Sequence, residues 1–254
     1  MKRILILGGT TEARLLAGRL ADRPDVAVTV SLAGRTAAII DQKVPTRVGG
    51  FGGASGLATY LGEERIDALV DATHPFAEII SAHAIEAAKT TETPLLALRR
   101  PPWLPVAGDN WREVPTMAAA VAAIGQAPRR VFLAIGRKEI AVVAGAPQHF
   151  YLVRSVDPIE PAPDLANAAF VVGRGPFAEA GDCALLSAYK IEVVVSRNSG
   201  GEAGYAKIAA ARTLALPVIM VSRPLLAATE TVETVDAALA WLDHGAARPR
   251  ARTV

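Results

Sequence analysis

The chain has 254 residues, 51% of them apolar and 20% charged, with a net charge of +2. This is the composition of a soluble globular protein of one large domain or two ordinary ones, and no apolar run approaches the roughly 18 to 20 residues that a bilayer span needs. The single Cys183 excludes an internal disulfide and a multi-thiolate zinc site, and the histidines at 74, 83, 149 and 244 lack metal-ligand spacing, so no metal is expected.

The opening "MKRILILGG" has no signal-peptide form, which places the chain in the cytoplasm. Strands are predicted at "RILIL", "VAVTV", "ALVDA" and "LLAL", then at "RVFLAI", "FYLVRS", "AFVVG", "IEVVVS" and "PVIMVS". Most are continuous apolar runs, the pattern of strands buried on both faces, so the fold class is α/β with largely parallel sheets covered by helices. Helices are predicted at Thr11 to Ala21, Pro75 to Lys89, Thr116 to Ile124, Phe177 to Ala188 and Tyr205 to Leu214. The proline-rich "RRPPWLPVAGDNWREVP" leaves the first strand series and "GQAPRR" precedes the second, which sets a boundary near Gln126. The expected division is an N-terminal domain 1–126, a C-terminal domain 127–245 and a flexible basic tail 246–254, with a cleft between the carboxyl ends of the two sets of strands. The weak basic excess, with no basic run interleaved with aromatics, argues against nucleic acid and suits an acidic small molecule.

Five strand-end loops carry more glycine, hydroxyl and basic residues than a turn needs: "GGTTEA", "SLAGRT", "DATHPFA", "GRGPFA" and "SRNSGGEAGYAK". In the first, Gly8 and Gly9 permit a tight turn that brings amide donors to a helix N-terminus, where an anion is favoured. Against the dinucleotide template G-x-G-x-x-G/A, Gly8 and Ala13 match while Thr10 takes the place of the middle glycine. Thr10 or Thr11 either reaches a phosphate or caps the helix, and Glu12 suits the helix dipole while repelling a phosphate. A fingerprint that selects NAD puts an acid about 20 residues downstream. Here Ser31 and Arg35 stand instead, as a 2′-phosphate requires, so NADPH is expected over NADH. In "DATHPFA", Thr73 caps the next helix, Pro75 sits in its first turn and His74 is aimed into the cleft, while Asp71 either orients that ring or ends the strand. Asn198, Ser199, Gly200 and Gly201 form a donor-rich loop before a helix bearing Tyr205 and Lys207, a seat for carboxylates or phosphate.

Taken together, "ILGGTTEARLLA", "GGFGGASGLATYL", "DATHPFAEIISAHA", "RPPW", "GRGPF", "NSGGEAGYAKIAAAR" and "PVIMVSRP" resemble, in this order, the precorrin-6A reductase family of cobalamin biosynthesis. The resemblance runs from about Ile4 to Pro224. It implies two Rossmann-like domains with a pyridine nucleotide and a tetrapyrrole between them. The implied reaction is NADPH-dependent reduction of one double bond of precorrin-6A to precorrin-6B (dihydro-precorrin-6A). Basic residues in or beside the loops of the second half, Arg154 and Arg197 among them, suit a polycarboxylate ring. On this reading Gly8, Gly9, Thr10, Thr11, Ser31, Arg35, Thr73, His74, Pro75 and Phe76 hold the cofactor. Arg137, Lys138, Arg174, Asn198, Ser199, Gly200, Gly201, Lys207 and Arg223 hold the substrate, and His74 or Tyr205 donates the proton unless solvent does. The expected partners are the tetrapyrrole and other enzymes of the same pathway, with no nucleic acid and no membrane. Two alternatives stand beside this one: a cobalt-precorrin-6A reductase using NADH, and a non-catalytic NADPH-binding protein. An S-adenosylmethionine-dependent methyltransferase is disfavoured by the 2′-phosphate features at Ser31 and Arg35.

Overall fold

The computed structural model describes residues 1–34, 41–134, 137–159, 165 and 167–244, without the side chains of 137–139. In chain order the elements are β1 (Lys2–Leu7), α1 (Thr11–Leu20), β2 (Val26–Leu32), β3 (Thr46–Val48), α2 (Gly53–Glu63), β4 (Ala68–Asp71), α3 (Glu78–Thr91) and β5 (Leu95–Leu98). There follow β6 (Trp111–Val114), α4 (Met117–Ile124), β7 (Arg130–Ala134), α5 (Arg137–Val143), β8 (Phe150–Ser155), β9 (Ala168–Val172) and α6 (Glu179–Ala188). The chain ends with β10 (Val193–Arg197), α7 (Ala206–Thr213), β11 (Val218–Val221), β12 (Thr231–Val232) and α8 (Val235–His244). No described helix is long and apolar enough to cross a membrane.

The strands form two six-stranded sheets, β12-β5-β4-β1-β2-β3 and β6-β11-β10-β7-β8-β9, and every described pairing is parallel. The apolar runs predicted as strands are found as β1, β2, β4, β5, β7, β8, β9, β10 and β11. Side-chain alternation explains why those runs are unbroken. In β1, Ile4 and Ile6 pack with Leu16 and Leu20 of α1 and Trp241 of α8. Leu5 and Leu7, on the other face, pack with Leu57 and Leu61 of α2 and Ala84 of α3. In the second sheet Phe132, Leu152, Val194 and Met220 share a core with Leu186 of α6 and Ile208 of α7.

The boundary expected near Gln126 is corrected. One compact unit is Met1–Pro101 with the chain from Leu225, and the other is Pro102–Pro224. Trp111–Val114 pairs in register with Val218–Val221 of β11, and Thr231–Val232 pairs with Ala97 and Leu98 of β5. Each sheet therefore takes its sixth strand from a connecting segment, and α8 returns to cover β1. The first sheet follows the order 3-2-1-4-5-6 of doubly wound nucleotide-binding folds, and the second repeats 3-2-1-4-5 when counted from β7, its sixth place being taken by β6, which precedes β7 in the chain. Chain reversal about β1 in one sheet and β7 in the other opens a crevice at the carboxyl ends of the strands, beside β4 and β10 respectively.

Two glycines of α2 test how tightly this first unit is built. A Cβ on Gly56 would lie 1.8 Å from the carbonyl oxygen of Phe51, whereas one on Gly62 would meet nothing within 4 Å. Gly62→Ala should therefore stabilise the protein by roughly 0.5–1 kcal/mol, the usual gain in a helix, while Gly56→Ala should destabilise it. Urea midpoints of the two variants check this, and an equal shift in both would mean that the loop before α2 yields freely.

Candidate functional site

At the carboxyl edge of the first sheet, strand register sets the first-unit candidates side by side. Leu7 is paired with Asp71 on one side and Ser31 on the other, and Ser31 is paired with Arg47. The turn Gly8–Gly9 leaves this row for α1. Gly9 has φ +116°, and a Cβ there would meet nothing within 4 Å, so the turn has an open side. Thr10, in place of the middle glycine, faces inward: its hydroxyl donates to the carbonyl of Ala72 at 2.8 Å and accepts from the amide of Ala13 at 3.1 Å. It caps α1 and ties the turn to β4, leaving the exposed Thr11 as the hydroxyl at the helix end. The expected repulsion from Glu12 is offset, since Arg100 Nη1 lies 2.9 Å from its carboxylate. These features fit a dinucleotide, with an open glycine turn, a helix N-terminus and a neutralised acid. Arg35 lies outside the described residues.

The loop after β4 is built differently from expectation. Thr73 does not cap α3, which starts at Glu78 after Ala77, and Pro75 precedes the helix. The amide and hydroxyl of Thr73 both donate to Asp71 Oδ1, at 3.1 and 2.7 Å. Arg99, at the end of β5, donates to the other oxygen of that carboxylate, to Ser81 Oγ at 2.9 Å and to the carbonyls of Asp71 and Thr73 at 2.9 and 3.0 Å. Asp71 is thus a buried anchor for the loop, and sequence reasoning missed Arg99. His74 and Phe76 are half-buried. His74 Nδ1 accepts the Phe76 amide at 3.2 Å, so the neutral imidazole carries its proton on Nε2.

In the second unit, Arg137 and Lys138 open α5 after β7, the exposed Arg174 follows β9, and Asn198–Gly201 follow β10, all at the carboxyl edge. Arg174 Nη2 lies 3.4 Å from Asp157. Asn198 and Lys207, expected to grip substrate, are only 7% and 6% exposed. Asn198 accepts the Trp103 amide at 2.8 Å and donates to the Trp103 carbonyl at 2.9 Å. Lys207 Nζ donates to the Gly204 carbonyl at 2.6 Å and sits 4.7 Å from the centre of the Trp103 indole, whose N–H donates to the Gly201 carbonyl at 2.8 Å. Arg223 donates to the carbonyls of Asn198 and Ser199 at 3.0 and 3.2 Å. These three side chains shape the loop around Trp103. Arg154 is likewise buried, against Asp182 and 3.8 Å over the Phe177 ring.

Tyr205 is the N-cap residue of α7, its ring edge-on to Trp103 at 5.7 Å. Its oxygen accepts from Arg212, whose Nε donates to Asp109 at 2.9 Å. The hydrogen bond with Asp109 raises the pKa of that guanidinium above its ordinary value, so Arg212 stays a donor.

Over residues 3–243 the chain matches the family described as precorrin-6x reductase CbiJ/CobK. It is 53% identical over 242 residues to the precorrin-6A reductase of a Sinorhizobium species, covering 95% of this chain and 93% of that one. It is 50% identical over 247 residues to the precorrin-6A reductase of Rhodobacter capsulatus, covering 97% and 98%. A solved structure, CobK precorrin-6A reductase, is similar with a TM-score of 0.92 at 48% identity, over 98% of this chain and 99% of that one. The likeness extends over nearly the whole chain, and the chain belongs to the precorrin-6x reductase family.

Proposed function

We propose that the chain reduces one double bond of precorrin-6A to give precorrin-6B with NADPH, the nucleotide bound on the first unit and the macrocycle's carboxylates on the second. That it is an oxidoreductase acting on precorrin-6A in cobalamin biosynthesis follows from its family. The choice of NADPH rests on one observation: the end of β2 carries the buried Ser31 where an NAD-selecting fold carries an acid. Gly8, Gly9 and Thr11 would hold the pyrophosphate, Ser31 and Arg35 the 2′-phosphate, and the loop of His74 and Phe76 the nicotinamide end. When bound, the cofactor supplies a hydride, and a proton completes the reduction.

The residues of the chain orient and exclude water. His74, with Nδ1 facing the Phe76 amide, presents an Nε2–H donor; protonating Nδ1 would set two N–H groups against each other. His74 therefore positions, and Tyr205 or solvent donates the proton. Arg137, Lys138 and Arg174 are the carboxylate-binding candidates, while Asn198, Lys207 and Arg223 hold the loop they belong to.

With precorrin-6A as acceptor, NADPH oxidation should match macrocycle reduction one for one, and kcat/KM with NADH should be lower by about tenfold or more. Comparable rates with both nucleotides would remove the NADPH reading. Arg137→Ala and Arg174→Ala should each raise the KM for precorrin-6A about tenfold or more and leave the KM for NADPH unchanged, since a charged hydrogen bond is worth roughly 1.5–3 kcal/mol. Steady-state kinetics check this; a loss confined to NADPH would reverse the assignment of the two units. His74→Ala should lower kcat by roughly tenfold or less, the value of one neutral hydrogen bond, without removing a limb from the pH profile. A hundredfold loss together with a missing acid limb would make His74 the proton donor.

A further inference from the structure

The glycine-rich stretch "GGFGG" and the arginine before it are left unused by the roles assigned above. Arg47 lies on β3, directly across from Ser31. Its Nη1 donates to Ser31 Oγ at 2.9 Å and to the Gly49 carbonyl at 3.0 Å, and its Nη2 donates to the Gly50 carbonyl at 3.0 Å. The guanidinium carbon sits 3.8 Å from the centre of the Phe51 ring, which is braced edge-on by Tyr60 at 5.3 Å. The chain curls round the guanidinium because Gly49 has φ +116°, a conformation other residues rarely adopt. The result is a planar cation held by three acceptors and an aromatic face.

We propose that Arg47, with Ser31, is a specificity-determining contact for the 2′-phosphate of NADPH, beside the Arg35 assigned above. The inference deepens the NADPH reading and rests on it. Ser31 neighbours Leu7, so Arg47 stands two strand spacings, about 10 Å, from the strand that feeds the Gly8–Gly9 turn. The adenosine ribose of a dinucleotide lies over the end of the second strand in this strand order. Ser31 accepts from Arg47 and keeps its own proton as a donor, so the pair offers a hydroxyl and a guanidinium to one anion. No acid occurs from Thr46 to Leu61 to repel it. A guanidinium already fixed in plane loses little freedom on meeting a phosphate.

Calorimetric binding of 2′,5′-ADP and 5′-ADP to the whole protein tests the assignment without turnover. Wild type should prefer 2′,5′-ADP, and Arg47→Ala should weaken it by about 10- to 150-fold while changing 5′-ADP little. Arg47→Lys, which keeps the charge and loses the fork, should give a smaller loss of the same selectivity; it carries the test should the alanine variant not fold. Ser31→Ala should fall on the same side. An equal loss of both ligands would overturn the proposal, leaving Arg47 as a brace between β3 and the glycine loop. A selective loss in Arg35→Ala with none in either Arg47 variant would overturn it in favour of Arg35. Equal wild-type affinity for the two ligands would overturn the NADPH reading and this assignment with it.

Discussion

Parallel pairing is the constraint on which the rest of this structure depends. Parallel neighbours need a crossover between them, and the crossovers here are mostly helices, which cover both faces of each sheet. All carboxyl ends of a sheet then share one edge, where loops escape the demands of core packing. Asp71, Leu7, Ser31 and Arg47 fall in one row because register across four strands leaves them no other place. Residues 16 or more apart in sequence become neighbours without any local signal that they should be.

Strand ends also leave polar backbone groups without ladder partners, and the chain answers with buried side chains. Arg99 holds two carbonyls, a carboxylate and a serine hydroxyl at the end of β4. Asn198 does the same for Trp103 with a paired amide contact, and Arg223 for the loop after β10. Removing one partner of such a buried charged set costs about 3–5 kcal/mol, because the other is left uncompensated. Many of the charged and amide residues at these edges are therefore scaffolding. The exposed Thr11 and Arg174 stand outside these buried sets.

The two kinds of polar residue look alike in sequence. "NSGGEAGYAK" reads as a donor-rich seat for an anion, yet Asn198 and Lys207 turn inward toward Trp103, a residue about 100 positions away. Thr73 and Pro75 have the residue types of a helix start, yet Asp71 captures the Thr73 hydroxyl first and the helix begins three residues beyond Pro75. Glu12 looks hostile to phosphate until Arg100 is placed beside it. In each case the deciding partner is distant in the chain.

Composition and periodicity alone determined the fold class, the nine apolar strands and the place of the five polar loops at strand ends, because burial on both faces writes an unbroken apolar run into each strand. Three short strands, β3, β6 and β12, were decided only by tertiary structure. Each lies at a sheet edge, where one neighbour suffices and polar residues such as Arg47, Arg112 and Glu113 are tolerated. The division into units moved with them, since β6 and β12 join sheets that their position in the chain does not suggest. Arg47 went unread for the same reason: only pairing with β2 brings its guanidinium to Ser31, and pairing between strands is a property of the folded sheet.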